Sequence, residues 1–335
     1  MPDMPLEIDG IAVPAPAAIA ALQAELAPYT RVTPVMRRDD IAGLEGTVLE
    51  FKFELLQASG TFKARGAFSN MLALDADQRG RGVTGISAGN HAVAVAYAAM
   101  KLGISAKVVM LKTANPARVA LCHAFGAEIL MAEDGASGFA MVREIEATEG
   151  RYFVHPFNGY RTVLGTATLG AEWAAQSALW GGLDAVILPI GGGGLAAGVA
   201  CALKQAMPGV TIYGVEPEGA TGMAQSFATG GPVKMGAMTG IADSLMAPHT
   251  EAYSYGLCRA NIDGLVTVSD DELRAAMRVL FAELKLATEP ACAAATAAAL
   301  GPLRARIAGG RVGVLLCGTN TDPATFMRHT THGQA

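Results

Sequence analysis

Short apolar segments rich in β-branched residues alternate with Ala-rich stretches of helical length from residue 47 onward. The short segments predict strands and the longer ones predict helices. Strands are expected at Thr47–Phe53, Gly82–Ser87, Ala106–Leu111, Glu128–Met131, Tyr152–His155, Ala185–Ile190, Thr211–Glu216, Gly264–Val268 and Val312–Cys317. Helices are expected near 62–74, 90–102, 115–125, 136–148, 160–178, 195–206, 270–284 and 290–308. This alternation predicts βαβ units and an α/β fold with largely parallel sheets.

One long stretch interrupts the alternation. Thr229–Ala247 is rich in Gly and Met and has little apolar periodicity, which predicts a long loop. Ligands of parallel sheets bind beyond the carboxyl ends of the strands, where loops lead into helices. We therefore expect the functional residues in the loops that follow strands, with this long loop beside them.

Composition and charge narrow the class of protein. Of 335 residues, 51% are hydrophobic and 16% are charged, which is typical of a globular protein with a large core. A net charge of −5 without any Lys/Arg run argues against a nucleic-acid partner. Five cysteines stand singly and predict reduced thiols in a cytoplasmic protein. The longest uncharged run, Ala185–Leu203, contains a proline and four consecutive glycines, so a membrane helix is not expected.

The first of three candidate loops precedes the helix predicted at 62–74. Ser59 and Gly60 form a turn, and Lys63 follows next to the aromatic Phe62. A lysine at a helix start is often an ordinary surface residue, whereas a buried lysine is rare without a function. Both interpretations of Lys63 stay open from the residues alone.

The second loop, Ser87–His91, joins a predicted strand to an Ala-rich helix. Its small residues expose backbone N–H groups, which can bind an anion such as a carboxylate. The alternative is an ordinary helix cap made by Ser87 or Asn90, and the two interpretations are compatible. His91 is expected to form a structural hydrogen bond.

The third loop has four consecutive glycines, Gly191–Gly194, between an apolar strand and a helix. Such a loop lets the backbone wrap closely around a phosphate at the positive end of a helix. A rival interpretation is a dinucleotide site of an NAD-type oxidoreductase, in which Gly192, Gly194 and Ala197 form the fingerprint and Glu216 binds the ribose. That interpretation leaves the first two loops unexplained.

Together these loops resemble the fold-type II pyridoxal-phosphate (PLP) enzymes, specifically the serine/threonine dehydratase and serine racemase family. The matching segments are SGTFKARGA (59–67), SAGNHA (87–92), FVHPF (153–157), GGGGL (191–195), GVEPEGA (214–220) and LLCGTN (315–320). The resemblance implies a tryptophan synthase β-like α/β fold with two open, mostly parallel sheets and helices on both faces. It also implies a large PLP-binding domain of residues 1–66 and 156–335, with a small mobile domain of residues 67–155 that clamps the substrate.

The same resemblance assigns roles to residues of the site. Lys63 is expected to bind PLP as a Schiff base and to act as the general base, with Phe62 against the pyridine ring. Asn90 is expected to bond the phenolic oxygen of the cofactor, and Cys317 to face the pyridine nitrogen. The phosphate is expected on the backbone of Gly191, Gly192, Gly193, Gly194 and Leu195. The substrate carboxylate is expected on the loop of Ser87, Ala88, Gly89, Asn90 and His91.

Two positions discriminate between activities of the family. In the racemase, a serine at the position of Ala88 protonates the face of the substrate opposite the lysine, and alanine has no proton to give. Elimination is therefore expected over racemisation. Cys317 stands where serine is common, and a thiol is a weak donor that leaves the pyridine nitrogen incompletely protonated. The alternative for Cys317 is a buried core thiol.

The resemblance also allows the family's divalent-cation site and its substrate motif to be compared. The cation ligands map to Glu216, the carbonyl of Ala220, and Gly222, which has no carboxylate, so no metal site is expected. The segment Thr166–Thr168 departs from the glycine-glutamine-glycine-threonine pattern of the family, which leaves the preferred hydroxy-amino acid open.

The sequence therefore predicts a cytoplasmic PLP-dependent ammonia-lyase that acts on L-threonine, L-serine or a related 3-hydroxy-amino acid. The reaction expected is β-elimination to a 2-oxo acid and ammonia. A PLP-dependent amino-acid racemase is the nearest alternative, followed by the NAD-type oxidoreductase and a non-enzymatic binding module. The expected partner is a small amino-acid substrate, without nucleic acid or membrane, and a homodimer is expected from the family.

Overall fold

Two separate β-sheets form the frame of the protein, in a computed structural model that describes residues 5–87 and 89–332. The strands are β1 (Glu7–Ile8), β2 (Ile11–Ala12), β3 (Val35–Arg38), β4 (Val48–Lys52), β5 (Val83–Ser87), β6 (Ala106–Leu111), β7 (Glu128–Ala132), β8 (Tyr152–Phe153), β9 (Ala185–Pro189), β10 (Thr211–Pro217), β11 (Gly264–Val268) and β12 (Arg311–Leu315). The α-helices are α1 (Pro16–Leu26), α2 (Lys63–Leu72), α3 (Ala76–Arg81), α4 (Asn90–Leu102), α5 (Pro116–Ala124), α6 (Gly135–Glu149), α7 (Tyr160–Ala178), α8 (Gly194–Ala206), α9 (Gly222–Thr229), α10 (Ala252–Asn261), α11 (Asp270–Leu284), α12 (Pro290–Leu300), α13 (Arg304–Ile307) and α14 (Pro323–Thr331).

The larger sheet has six strands in the order β11-β10-β9-β12-β4-β3. All neighbours are parallel except β3, which runs antiparallel to β4 at one edge. The smaller sheet has four parallel strands in the order β7-β6-β5-β8. The predicted α/β fold with two open, mostly parallel sheets is confirmed.

All the predicted strands form, and each sheet lies against helices that the alternation predicted. The long loop predicted at Thr229–Ala247 is confirmed over residues 230–247, whereas Thr229 ends α9. A short 3₁₀ turn at Asp243–Leu245 and an isolated β-bridge between Lys234 and His249 interrupt it. The helix predicted at 290–308 is divided at Gly301 into α12 and α13, because Gly301 ends α12 and leaves only one further helical turn.

Several elements have no counterpart in the prediction. They are β1, β2, β3, α1, α3, α9, α10 and α14. Most are short, and β3 is a charged edge strand with the sequence VMRR, so period-2 alternation is weak there. Helix α10 contains Tyr, Ser and a glycine in its interior, and these residues mask its helical propensity.

Helix α7 packs between α2 and α8, which carry the lysine loop and the glycine loop respectively. Glycines allow this close approach. A Cβ added at Gly165 would lie 2.6 Å from the carbonyl oxygen of Arg65 in α2, and one at Gly170 would lie 2.6 Å from that of Val199 in α8. The two loops are therefore held in one tightly packed block of helices.

Across residues 5–87 and 89–332, no helix combines the length and the apolar character that a bilayer span requires.

Candidate active site

A cavity of about 470 Å³ lies between the two sheets and contains residues from all three predicted loops. The predicted site residues on its wall are Phe62, Lys63, Ser87, Gly89, Asn90, His91, Gly191, Gly192, Gly193, Gly194, Leu195 and Cys317. Ala88, the remaining predicted site residue, lies outside the described residues. Loops separated by more than 200 positions thus meet at one cavity, as the carboxyl ends of parallel strands do.

Lys63 is the first residue of α2, and its Nζ donates a hydrogen bond to the carbonyl oxygen of Pro156. Burial of the ammonium group lowers the pKa of Lys63 to about 8. An amine with this pKa is partly neutral near neutral pH, and only a neutral amine attacks a carbonyl carbon. The ring centroid of Phe62 lies 5.0 Å from the same Nζ.

The turn before Lys63 is tied to the loop that follows β12. Ser59 and Gly60 both have a positive φ, of 68° and 72°, which brings the chain sharply into α2. The N–H of Phe62 donates to the carbonyl of Cys317 at 3.2 Å, and the side-chain amide of Asn320 donates to the carbonyl of Ser59 at 2.9 Å. These bonds fix Lys63 and Cys317 relative to each other.

A buried ionic network lies below Lys63. The guanidinium of Arg65 contacts Glu54 at 2.6 Å and Glu172 at 2.9 Å, and Lys52 contacts Glu172 at 2.5 Å. The network joins α2 to the larger sheet and to α7. Removing one partner of such a buried pair typically destabilises a protein by about 3–5 kcal/mol, because the other charge is left unpaired. The sequence analysis did not identify this network.

The glycine loop is shaped by protein atoms packed against it. A Cβ added at Gly192 would clash with the ring of Phe157, and one at Gly194 would clash with the Phe157 carbonyl. Gly193 has a φ of +94° and caps the N-terminus of α8. In the described part of the chain, the backbone N–H groups of Gly192, Gly193 and Gly194 donate to no protein acceptor. A glycine backbone with free N–H groups at a helix N-terminus fits a phosphate.

The loop after β5 surrounds the hydroxyl of Ser87. Its Oγ accepts hydrogen bonds from the N–H of Gly89 at 2.8 Å and of His91 at 3.2 Å. The Nε2 of His91 donates to the carbonyl of Val154 at 2.7 Å, and burial lowers the pKa of His91 to about 3. The imidazole is therefore neutral and engaged in a structural bond.

Asn90 belongs to a buried polar network that the sequence analysis did not predict. Its amide donates to Glu289 at 2.7 Å, and its carbonyl oxygen accepts from Asn320 at 2.9 Å. Glu289 also pairs with Arg118 at 3.1 Å. Burial raises the pKa of Glu289, and the Arg118 charge opposes that rise.

Arg118 lies in α5, between two strands of the smaller sheet in the sequence, and connects this part of the chain to residues of the larger part. Its guanidinium contacts Asp243 at 2.6 Å and donates to the Asn320 carbonyl at 2.8 Å, in addition to its bond with Glu289. Its aliphatic part lies where a Cβ at Gly89 would be placed. Position 89 therefore requires glycine because Arg118 fills the adjacent space.

Cys317 is buried on the cavity wall next to Cys292. A hydrogen bond with Cys292, together with burial, raises the pKa of the Cys317 thiol well above its usual range. The group therefore remains a neutral thiol at physiological pH, and it can donate only a weak hydrogen bond.

The carboxylate of Glu216 lies at the N-terminus of α9, which does not agree with the rival interpretation as a ribose ligand. It accepts hydrogen bonds from the N–H groups of Met223 and Ala224, at 2.7 and 2.8 Å, and so caps α9. Burial raises the pKa of Glu216 to about 7. Both oxygens are occupied by helix N–H groups, so Glu216 is not free to hold a ribose.

One group among the described residues has the spacing of metal ligands: His155, His249 and Glu251. The Nδ1 of His155 accepts hydrogen bonds from the N–H groups of Phe157 and Asn158, at 3.3 and 3.0 Å. Burial lowers the pKa of His155 to about 3, so the imidazole is neutral. Its proton is therefore on Nε2, the atom that faces Glu251, and Nε2 has no lone pair to offer a metal.

The outer side of the cavity carries a group of apolar residues, which we call the outer wall: Leu111, Ala136, Phe139, Met238, Met246, Ala247 and Pro248. The polar residues Thr113, Asp134, Asp243 and Ser244 line the cavity beside them. The outer wall is formed mainly by the first turns of α6 and by the long loop. A Cβ added at Gly135 would lie 3.7 Å from Pro248, so helix and loop meet across the cavity mouth. Among the described lining residues, Lys63 is the one side chain that carries a positive charge.

Comparison with known proteins adds four findings. The family model described as pyridoxal-phosphate dependent enzyme matches residues 26–318, which include every described loop of the cavity. A phenylserine dehydratase of Ralstonia pickettii is 67% identical over 323 residues, which make up 96% of this chain and 98% of that protein. Maize serine racemase has a TM-score of 0.87 at 33% identity, covering 95% of this chain and 98% of that one. The threonine deaminase of T.th. has a TM-score of 0.86 at 36% identity, covering 92% and 99%.

Proposed function

This chain belongs to the family of pyridoxal-phosphate-dependent enzymes, and we propose that it is a dehydratase of 3-hydroxy-amino acids whose 3-substituent is aromatic. The simplest such substrate is 3-phenylserine, and the products are a 2-oxo acid and ammonia. The sequence analysis predicted L-threonine, L-serine or a related 3-hydroxy-amino acid as substrate. We propose the third of these, a related 3-hydroxy-amino acid.

The observation that carries the aromatic substrate is the apolar outer wall. A cavity of this size has room for a cofactor and a small ligand, because small-molecule sites usually enclose about 300–1,000 Å³. A phenyl ring is stabilised by apolar walls, whereas a second carboxylate would need a cation to pair with. The described lining residues offer no cation besides Lys63, which disfavours 3-hydroxyaspartate. The name of the Ralstonia pickettii relative agrees with this choice.

The described residues fit the phosphate and the ring of PLP. We propose that Lys63 binds it covalently, that the N–H groups of Gly191–Leu195 hold the phosphate, and that Phe62 lies against the ring. Cys317 would donate weakly to the pyridine nitrogen. Asn90 would exchange its bond with Glu289 for one to the phenolic oxygen. When bound, the cofactor supplies an electron sink for the α-carbon of the substrate.

The residues of the chain perform the remaining steps. Lys63, released as a neutral amine, removes the α-proton, and its low pKa suits a base near neutral pH. The substrate carboxylate would lie at the loop Ser87–His91, where the N–H groups of Gly89 and His91 would exchange their bonds to the Ser87 hydroxyl for bonds to the carboxylate. The β-hydroxyl takes up one proton and leaves as water, in exchange for the α-proton that Lys63 has taken. The released enamine tautomerises to an imine. Addition of water to the resulting imine then releases the 2-oxo acid and ammonia.

Elimination is favoured over racemisation by the residue at position 88. Racemisation needs an acid on the face of the substrate opposite Lys63, and the side chain of Ala88 has no proton to donate. The serine racemases among the structural neighbours make this alternative worth measuring.

We further propose that residues 67–155 form a mobile unit that closes over the substrate, and that the enzyme is a cytoplasmic homodimer. The smaller sheet lies within residues 67–155, and Arg118 joins it to the rest of the chain. The buried cysteine thiols agree with a reducing compartment. Light scattering at several protein concentrations tests the dimer.

A screen of 2-oxo acid release from 3-phenylserine, L-threonine, L-serine and 3-hydroxyaspartate tests the function. We expect kcat/KM for 3-phenylserine to exceed the other values by about tenfold or more. Equal or higher values for threonine would overturn the aromatic substrate, and D-isomer accumulation on chiral chromatography would favour the racemase.

A further inference from the structure

Helix α6 places one aromatic side chain directly on the outer wall of the cavity. Phe139 lies one turn after the start of α6, half-buried against the core of the smaller sheet, and it lines the cavity. Gly138, its neighbour, is closely packed, because a Cβ there would clash with Ile86 of β5. This contact holds the first turns of α6 against the sheet and fixes the position of Phe139.

Phe139 is part of an aromatic cluster at the cavity mouth. Its ring centroid lies 5.2 Å from that of His249, 6.1 Å from His155 and 6.2 Å from Phe153. His155 and His249 in turn contact Phe157, at 4.7 and 5.4 Å. Burial lowers the pKa of His155 to about 3, so its ring is neutral and behaves as an aromatic surface.

Two phenylalanines of this cluster line the cavity, Phe139 and Phe157, and they have different structural roles. Phe157 is fixed by its contacts with Gly192 and Gly194, so it shapes the glycine loop. Phe139 makes no such contact with that loop within the described residues, and its ring belongs to the outer wall. A further aromatic ring placed in the cavity would therefore extend the cluster from Phe139.

We propose that Phe139 is the residue that determines specificity for the aromatic 3-substituent of the substrate. This inference rests on the proposed function, since it concerns the same cavity. Offset or edge-to-face pairs of aromatic rings gain free energy beyond that of the buried area. Phe139 supplies one ring of such a pair, and the phenyl group of 3-phenylserine supplies the other. Methyl or hydrogen substituents, as in threonine and serine, do not reach this pairing.

The test compares Phe139→Ala and Phe139→Leu with Phe153→Leu. Phe153 packs in the same cluster and against the same core, but it is absent from the lining that the described residues form. We expect Phe139→Ala to lower kcat/KM for 3-phenylserine by about 10- to 100-fold. The value for L-threonine should change by less than about threefold, because its methyl group makes no ring contact.

Phe139→Leu should fall between the wild type and Phe139→Ala, because it keeps apolar area and loses the ring. Phe153→Leu should leave the ratio of the two kcat/KM values unchanged. Binding of L-phenylalanine, which lacks the leaving hydroxyl, should weaken in Phe139→Ala when followed by the cofactor absorbance band. L-Alanine binding should not change.

The outcomes separate this inference from the proposed function. If the wild type turns over 3-phenylserine and Phe139→Ala keeps the wild-type ratio, or loses both activities in parallel, the specificity role is wrong and the proposed function stands. If the wild type turns over threonine but not 3-phenylserine, the aromatic substrate itself is wrong and this inference fails with it.

Discussion

The glycine loop and the outer wall of the cavity are built on different principles. In the glycine loop, the groups that we propose bind the phosphate are backbone N–H groups, and Phe157 closes the space around two of the glycines. At the outer wall, half-buried side chains from α6 and from the long loop face the cavity. A binding site made of backbone groups requires particular residues at consecutive positions. A wall made of side chains can be formed by many different sequences. Cofactor binding can therefore be predicted from a short sequence motif, whereas substrate specificity cannot.

The largest effect is expected from Lys63→Ala, which should remove activity toward every hydroxy-amino acid. The variant loses both the covalent link to the cofactor and the base. Lys101→Ala, an exposed lysine at the far end of α4, serves as the matched control. Borohydride reduction followed by peptide mapping should label Lys63 in the wild type. Labelling of another lysine would show that the assignment is wrong.

Gly193→Val should weaken PLP binding by about 100-fold or more in the fraction of the protein that folds, because the loop can no longer keep its shape. The added side chain meets Met223 at 2.7 Å and requires a φ of +94°. Gly230→Val is the control, because Gly230 also has a positive φ of 78° but no neighbouring atom within 4 Å. Cofactor titration measures the difference. Equal PLP affinity in the two variants would remove this loop from the phosphate site.

Arg118→Lys should lower kcat/KM by about tenfold for 3-phenylserine and for threonine alike. Lysine keeps the charge but cannot contact Asp243, Glu289 and the Asn320 carbonyl together. A parallel loss would distinguish the Arg118 contacts between the sheets from the outer wall, which we propose discriminates between substrates. Arg274→Lys, in an ion pair with the exposed Asp271, should change neither value. Steady-state kinetics on both substrates measures these values. A fall in kcat/KM for only one of the two substrates would contradict the prediction.

The smallest effect concerns pH. The rate at which the apoprotein attaches PLP should fall about tenfold per pH unit below pH 8 and level off above it. The sign follows from the lowered pKa of Lys63, because the amine is protonated below about 8 and neutral above it. Stopped-flow absorbance of the imine band measures the rate. A profile that keeps rising to pH 10 would mean that Lys63 has an ordinary pKa.

The parts of the site that the sequence predicted are those encoded locally. The three loops each carry their signal within a few residues, and the strands before them are apolar enough to be recognised. Arg118 gave no such signal, because its partners Asp243 and Glu289 lie more than 120 positions away. A single arginine in a helix is normally read as a surface residue. The Arg65–Glu54–Glu172 network also gave no local signal, because Glu54 and Glu172 lie 11 and 107 positions from Arg65 and form no short motif with it.

Phe139 shows a second limit. Its helix was predicted at 136–148, and it forms at Gly135–Glu149. An aromatic residue in an amphipathic helix is most often a core residue, and periodicity does not tell which core position borders a cavity. The folded structure shows it, because Phe139 lines the cavity and its ring contacts His249.

The packing of Phe157 against the glycine loop affects the order in which parts of the chain fold. Gly191 packs against Leu245, and Gly192 and Gly194 pack against Phe157, so the glycine loop takes shape only when segments 35 to 54 residues apart have met. Contacts at such sequence separation form late, because closing a long loop loses chain entropy before the stabilising contacts have formed. During refolding from denaturant, helix and sheet signals should therefore return before cofactor capture. Because PLP binds only that completed geometry, it will slow unfolding without accelerating the early steps of folding.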